Sequence, residues 1–193
     1  TKVRFIANLV QDTHKQNIAC VAGDLEQAHQ AGVEICRKAN TVKMDSLAEV
    51  VIVSPGGAPR DKDLYQAQKA LSVGEVFAKK EGCTFILCAK ADEGIGEGLF
   101  RTWLEEAKEP GEVIERFREE GFNVGNNKAF MYARAMLKGK VLIVSDQVDR
   151  SDLQNMMLDG VPSLQEAVDL VCEREKPEHI IVLPRAVNII PEL

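Results

Sequence analysis

The sequence predicts an α/β fold, a three-layer α/β/α sandwich on a mainly parallel sheet, preceded by a small β-hairpin plus helix segment. Two observations predict it. Short apolar runs rich in β-branched residues recur at 48–54, 84–89, 141–145 and 179–184 without the strict alternation of a strand that has one wet face. Helical stretches separate them, and right-handed crossovers place such helices on both faces of a parallel sheet. The 193 residues, 45% hydrophobic and 28% charged, are enough to bury one substantial core with a smaller piece beside it.

In chain order, residues 3–10 and 17–22 read as two strands joined by a polar turn at 11–16, a hairpin. Gly23–Asp24 then supplies a break and an N-cap, and Leu25, Ala28, Gly32, Ile35 and Ala39 recur at helical spacing. This hairpin and helix are too small to stand alone, so residues 1–46 are expected to be a remnant of a neighbouring domain and residues 47–193 a second, α/β domain. Within the latter, Asp61 is the expected cap of a helix over 62–80. Ser151 with Gln154, and Ser163 with Glu166 after Pro162, open two later helices. Three more helices are expected around 99–107, 112–120 and 128–137.

Composition excludes several functions. A formal net charge of −6 with no basic run argues against nucleic acid or anionic lipid as the main partner. The longest apolar runs, 50–53 and 180–183, are far short of the ~20 residues that span a bilayer. The start at Thr1 without Met or a signal peptide suggests an excised fragment. Five cysteines (20, 36, 83, 88 and 172) form an odd set without a CxxC pair, which fits reduced thiols and a cytoplasmic setting. His14, His29 and His179 lack the paired spacing of metal motifs, so no metal site is expected in this chain. No Walker loop, nucleophile elbow or Cys/His pairing is present. The stretch Asp92-Glu93-Gly94-Ile95-Gly96-Glu97-Gly98 matches a dinucleotide-binding loop poorly, because Leu99 stands where the third glycine is needed and two glutamates would repel a pyrophosphate.

In open α/β sheets ligands bind beyond the carboxyl ends of the strands. The loop Ser54-Pro55-Gly56-Gly57-Ala58-Pro59-Arg60-Asp61 can turn tightly there and open a helix whose amides favour a carboxylate, although the same spacing also suits a turn that only connects strand to helix. On the following helix, Leu64, Ala67, Ala70, Leu71, Gly74, Phe77 and Ala78 form an apolar arc, and Gln68, Ser72, Glu75 and Lys79 a polar arc expected to face solvent. Tyr65, Gln66 and Lys69 lie on a flank between them, spaced to converge on one ligand or to snorkel from a packed helix edge.

The run from Ser54 to Leu71 resembles the signature that opens the carboxy-terminal domain of nickel-dependent lactate racemase and its relatives. Val21-Ala22-Gly23-Asp24 and residues 28–32 upstream, and Glu93-Gly94-Ile95-Gly96 and Asn127-Lys128-Ala129 downstream, extend the likeness. The resemblance implies a nickel-pincer nucleotide derived from nicotinic acid, held with its metal and acid/base histidines by an amino-terminal domain that this chain lacks. It implies a reversible hydride shuttle at the 2-carbon of a small 2-hydroxy acid, a carboxy-terminal domain that closes over the site, and binding of the substrate carboxylate by Tyr65, Gln66 and Lys69, with Gly56, Gly57, Arg60 and Asp61 in the nearby loop. Asn127 stands where the family usually has histidine, so no role is carried over to it. No catalytic residue is assigned within this chain, since hydride chemistry needs an electron sink that no side chain supplies. The expected function is therefore the substrate-binding lid part of a 2-hydroxy acid racemase or epimerase, inactive alone. The alternative is a non-catalytic module that binds a small acid or a protein partner.

Overall fold

A polar turn near the start folds the chain back on itself: Asp12 Oδ1 accepts hydrogen bonds from the amides of His14 at 2.8 Å and Gln16 at 2.9 Å. In the computed structural model, which describes residues 2–193, the flanking segments β1 (Ile6–Gln11) and β2 (Asn17–Gly23) form the expected antiparallel hairpin. Asp24 caps α1 (Leu25–Asn40) by accepting from the amides of Glu26 and Gln27. Strand β3 (Thr41–Lys43) follows and pairs in parallel with the last strand of the chain, Ile190–Glu192. These parts form one compact unit, which runs to Asp45 and takes in Asn188–Leu193; Ser46–Val187 form the other.

The second unit is the predicted α/β fold. Its elements are β4 (Val50–Val53), α2 (Leu64–Phe77), β5 (Cys83–Cys88), α3 (Gly98–Glu106), α4 (Pro110–Glu120), α5 (Asn126–Lys138), β6 (Gly139–Val144), α6 (Arg150–Asn155), β7 (Asp159–Val161), α7 (Leu164–Glu175) and β8 (Ile180–Leu183). The chain closes with β9 (Ile190–Glu192), which belongs with β3. Strand order is β7-β6-β5-β4-β8, and every neighbour is parallel. Four of these five strands coincide with the expected runs. The fifth, β7, is a three-residue edge strand whose Asp-Gly-Val sequence carries no apolar run to announce it.

Alternate residues of each strand serve opposite faces. Val50 and Ile52 of β4, Ile86 of β5 and Leu142 of β6 pack with Ala167 and Val171 of α7. On the other face Val51 and Val53 lie against α2 at Gly74, where a Cβ would come within 2.7 Å of Val53 Cγ1, so the helix sits closer to the sheet than any side chain would permit. Phe77, Phe85, Leu87 and Leu104 are fully buried, and each such side chain contributes roughly 1.5–3 kcal/mol by leaving water. Ser163 caps α7 as expected, accepting from the Glu166 amide at 3.2 Å. Among the described residues no helix is long and apolar enough to cross a membrane.

Two boundaries are corrected: α6 opens at Arg150 with Asp149 at its cap position, so Ser151 lies inside the helix and does not cap it, and α2 opens later than expected. Helix α2 starts at Leu64 with Asp63 as its cap, not at residue 62 with Asp61, and it ends at Phe77. Asp61 and Lys62 instead run beside the loop that follows β5: their carbonyls accept from the amides of Ala91 at 2.8 Å and Glu93 at 2.7 Å.

Candidate substrate-carboxylate site

The loop after β4 places Gly56 and Gly57 in left-handed backbone, with φ of +88° and +89°. Ser54 Oγ accepts from the Gly56 amide at 3.2 Å, and the Gly57 carbonyl accepts from the Arg60 amide at 3.1 Å. Gly56 backs onto Arg185, whose Cγ would lie 3.1 Å from an added Cβ. The loop thus ties the end of β4 to the end of β8, and Arg60 and Asp61 at its far end are half-buried.

The amides that open α2 are not available to an anion, contrary to the expectation from sequence. Asp63 Oδ1 accepts from the Gln66 amide at 2.6 Å. The amides of Leu64 and Tyr65 donate to the carbonyls of Gly94 and Ile95, each at 3.1 Å. The glycine-rich loop after β5 therefore seals this helix end. Gly96, at φ +100°, makes the seal possible, because a Cβ there would lie 2.8 Å from Tyr65 Cβ. In the same loop Glu97 caps α3, accepting from the amides of Leu99 and Phe100 at 3.0 Å each. An anion at α2 would therefore have to be met by side chains and not by backbone amides.

Those side chains divide around Tyr65. Its half-buried ring meets Phe100 edge-on at 6.1 Å between centroids, and Phe100 meets Tyr132 at 5.2 Å. Tyr132 is fully buried, donates to the Leu64 carbonyl at 3.0 Å, and has its phenol pushed upward in pKa by burial. Counting ~100° per residue from Tyr65 places Lys69 about 40° to one side and Gln66 about 100° to that same side, with Gln68 about 60° to the other. Lys69 is exposed, and its ammonium donates to Gln66 Oε1 at 2.6 Å. Tyr65, Gln66 and Lys69 thus share one flank, and the last two are joined directly.

The expected solvent arc is corrected at its centre. Gln68 is 1% exposed and Glu75 4% exposed, because α5 lies along that side of α2. Arg134 makes a two-pronged contact with Glu75, Nε to Oε2 and Nη2 to Oε1 at 2.9 Å each, and Lys138 donates to the Glu75 carbonyl at 3.0 Å. Lys128, in the first turn of α5, donates to Gln68 Oε1 at 2.8 Å and lies 5.6 Å from the centroid of the Tyr65 ring. Burial lowers its pKa, and the Lys69 charge lowers it further. Beside it, Asn127 Oδ1 is buried without a hydrogen-bond partner. Lys128 and Gln68 were not singled out as site residues from sequence. The only signal was the Asn127-Lys128-Ala129 motif, and nothing local reveals that it packs against a helix some sixty residues earlier.

Among the described residues no three His, Cys, Asp or Glu side chains are grouped to hold a metal ion. The described residues therefore offer no ligand set for the nickel centre, which the resemblance assigns to an amino-terminal domain.

Comparison with known proteins identifies the family of the fold. The model of the lactate racemase C-terminal domain family matches residues 42–191. The lactate racemase of Thermoanaerobacterium thermosaccharolyticum is 30% identical over 191 residues, covering 97% of this chain and 43% of that protein. The lactate racemase of Lactiplantibacillus plantarum is 31% identical over 198 residues, covering 98% of this chain and 45% of that protein. The chain thus spans less than half the length of these relatives. The structure of the Thermoanaerobacterium thermosaccharolyticum lactate racemase apoprotein superposes with a TM-score of 0.91 at 28% identity, over 99% of this chain and 46% of that one. A Thermotoga maritima protein shares the fold at a TM-score of 0.67 and 12% identity, covering 98% of this chain and 49% of its own. With its family model matched over more than half its length, this chain belongs to the lactate racemase C-terminal domain family.

Proposed function

We propose that this chain is the carboxy-terminal, substrate-binding lid part of a nickel-pincer-dependent 2-hydroxy acid racemase or epimerase. In this reading Tyr65, Gln66 and Lys69 hold the substrate carboxylate. The nickel-pincer nucleotide, the metal ligands and the acid/base groups belong to the amino-terminal half of such an enzyme, and without that half the chain turns over no substrate. One observation carries the reading: the Lys69 ammonium, on the Tyr65 flank, is held by an amide oxygen and has no ion pair with a described carboxylate. Its charge is left to attract an acid. The five cysteines, all free thiols, support a reducing compartment such as the cytoplasm.

The test is Lys69→Ala in the complete enzyme loaded with cofactor, with racemisation of 2-hydroxy acids followed by chiral chromatography. A charge-assisted hydrogen bond is worth about 1.5–3 kcal/mol, so kcat/KM is expected to fall by roughly 10- to 150-fold while the circular dichroism spectrum is unchanged. An unchanged kcat/KM on every accepted acid rules out the assigned role.

A further inference from the structure

We propose that Lys128 is a specificity-determining residue that binds a second acidic group of the substrate, so that the substrate class is a 2-hydroxy acid bearing two carboxylates. The proposal rests on the reading of Tyr65, Gln66 and Lys69 as the subsite for the first carboxylate.

The first support is the distribution of charge. Acidic side chains outnumber basic ones in this protein, 30 to 24. Lys43, Lys62, Lys79, Lys90, Lys138 and Lys140 each lie within ion-pair reach of a carboxylate. Lys69 and Lys128 do not, a condition they share with Lys2, Lys15, Lys38, Lys80, Lys108 and Lys176, but these two lie near one another on the Tyr65 side of α2. Their ammoniums donate to the neutral amide oxygens of Gln66 and Gln68, although they are close enough for the Lys69 charge to be felt at Lys128. Two neighbouring cations without a described carboxylate between them repel each other until an anion arrives.

The second support is geometry. Gln66 and Gln68 project to opposite sides of Tyr65 on α2, so the two ammoniums are tied to side chains that flank the Tyr65 position on either side. That arrangement offers two binding points. A monocarboxylate such as lactate, with its carboxylate at Lys69, presents only a methyl group to the other. A 2-hydroxy dicarboxylate presents a carboxylate to each.

The third support is that Lys128 is held in place. Its bonding partner Gln68 is buried, and the Gln68 amide is oriented by donating from Nε2 to Ser72 Oγ, which leaves Oε1 to face Lys128. The Lys128 ammonium is itself partly desolvated, and a carboxylate reaching it would offset that penalty. A surface lysine in solvent would have no such incentive.

Calorimetric titration of the protein with malate and with lactate tests this. The native protein is expected to bind malate at least tenfold more tightly than lactate. Lys128→Gln should abolish that preference while leaving the lactate Kd within about twofold, and Lys128→Arg, which keeps the cation, should restore it. A native protein without the preference overturns the proposal, as does a Lys128→Gln protein that keeps it or loses both acids equally. Lys69→Gln separates the two readings, since it should weaken both acids. If it weakens neither while Lys128→Gln still abolishes the malate preference, the first-carboxylate reading fails and the Lys128 contact stands.

Discussion

Arg134→Ala puts the α2–α5 contact to the test. The Glu75 side chain is 4% exposed and that of Arg134 42% exposed, so the variant removes the accessible partner and strands a buried carboxylate. Lys138 remains, but its ammonium lies 3.9 Å from Glu75 Oε2. Deleting one member of a fully buried pair costs about 3–5 kcal/mol, whereas an exposed pair is worth about 0–1 kcal/mol. With Arg134 partly in water and Lys138 still present, about 2 kcal/mol is expected, equivalent to roughly 5–8 °C in Tm for a unit of this size. Glu75→Gln leaves no uncompensated buried charge and should therefore destabilise less. Urea titration and differential scanning calorimetry measure both. The reasoning fails if Arg134→Ala stays within about 0.5 kcal/mol of the native protein, the range of an ordinary surface change, or if Glu75→Gln is the more damaging of the two.

Two further outcomes follow from groups outside that contact. Hydrogen bonds from the Lys79 ammonium, and from backbone amides including that of His179 at 2.9 Å, hold the Glu49 carboxyl down to about 2 against its ordinary 4.5. A depressed folded-state pKa stabilises above the unfolded value and loses that contribution as pH falls toward the folded one. The Tm advantage of native protein over Glu49→Gln should therefore shrink between about pH 5 and pH 2, and melting curves that stay equally far apart across that range contradict it. Among the thiols, Cys20 is exposed, whereas burial raises the pKa of Cys83 and Cys88. Iodoacetamide followed by peptide mass spectrometry should label Cys20 first and Cys83 only on unfolding; early labelling of Cys83 would contradict its burial.

Where a local pattern had a local cause, the sequence was readable. The runs at Val50–Val53 and Cys83–Cys88 are apolar on both faces because both faces are covered, and their placement followed from that. The Ser163 cap announced α7 three residues ahead of its acidic partner. What stayed hidden depended on distant partners. Asp61 and Asp63 are equally good caps in isolation, and the choice between them is made by the Ala91 and Glu93 amides, which occupy the carbonyls of residues 61 and 62. Gln68 and Glu75 read as solvated because polarity is the only local cue, and the cations that receive them arrive from α5. The shared flank of Tyr65, Gln66 and Lys69 was legible because helical spacing alone puts them together, whereas the approach of Lys128 to the Tyr65 ring depends on tertiary packing.

The pairing of β9 with β3 has a consequence for how the polypeptide is threaded. The chain leaves its first unit after Asp45, builds the whole five-stranded sheet, and returns for its last six residues, Asn188–Leu193. The α/β unit is in effect an insertion, spliced between Asp45 and Asn188. A proteolytic clip after Val187 would spare every strand of the large sheet and strip Thr41–Lys43 of its only neighbour among the described strands, so damage at the carboxyl end would register first beside residues near the amino end.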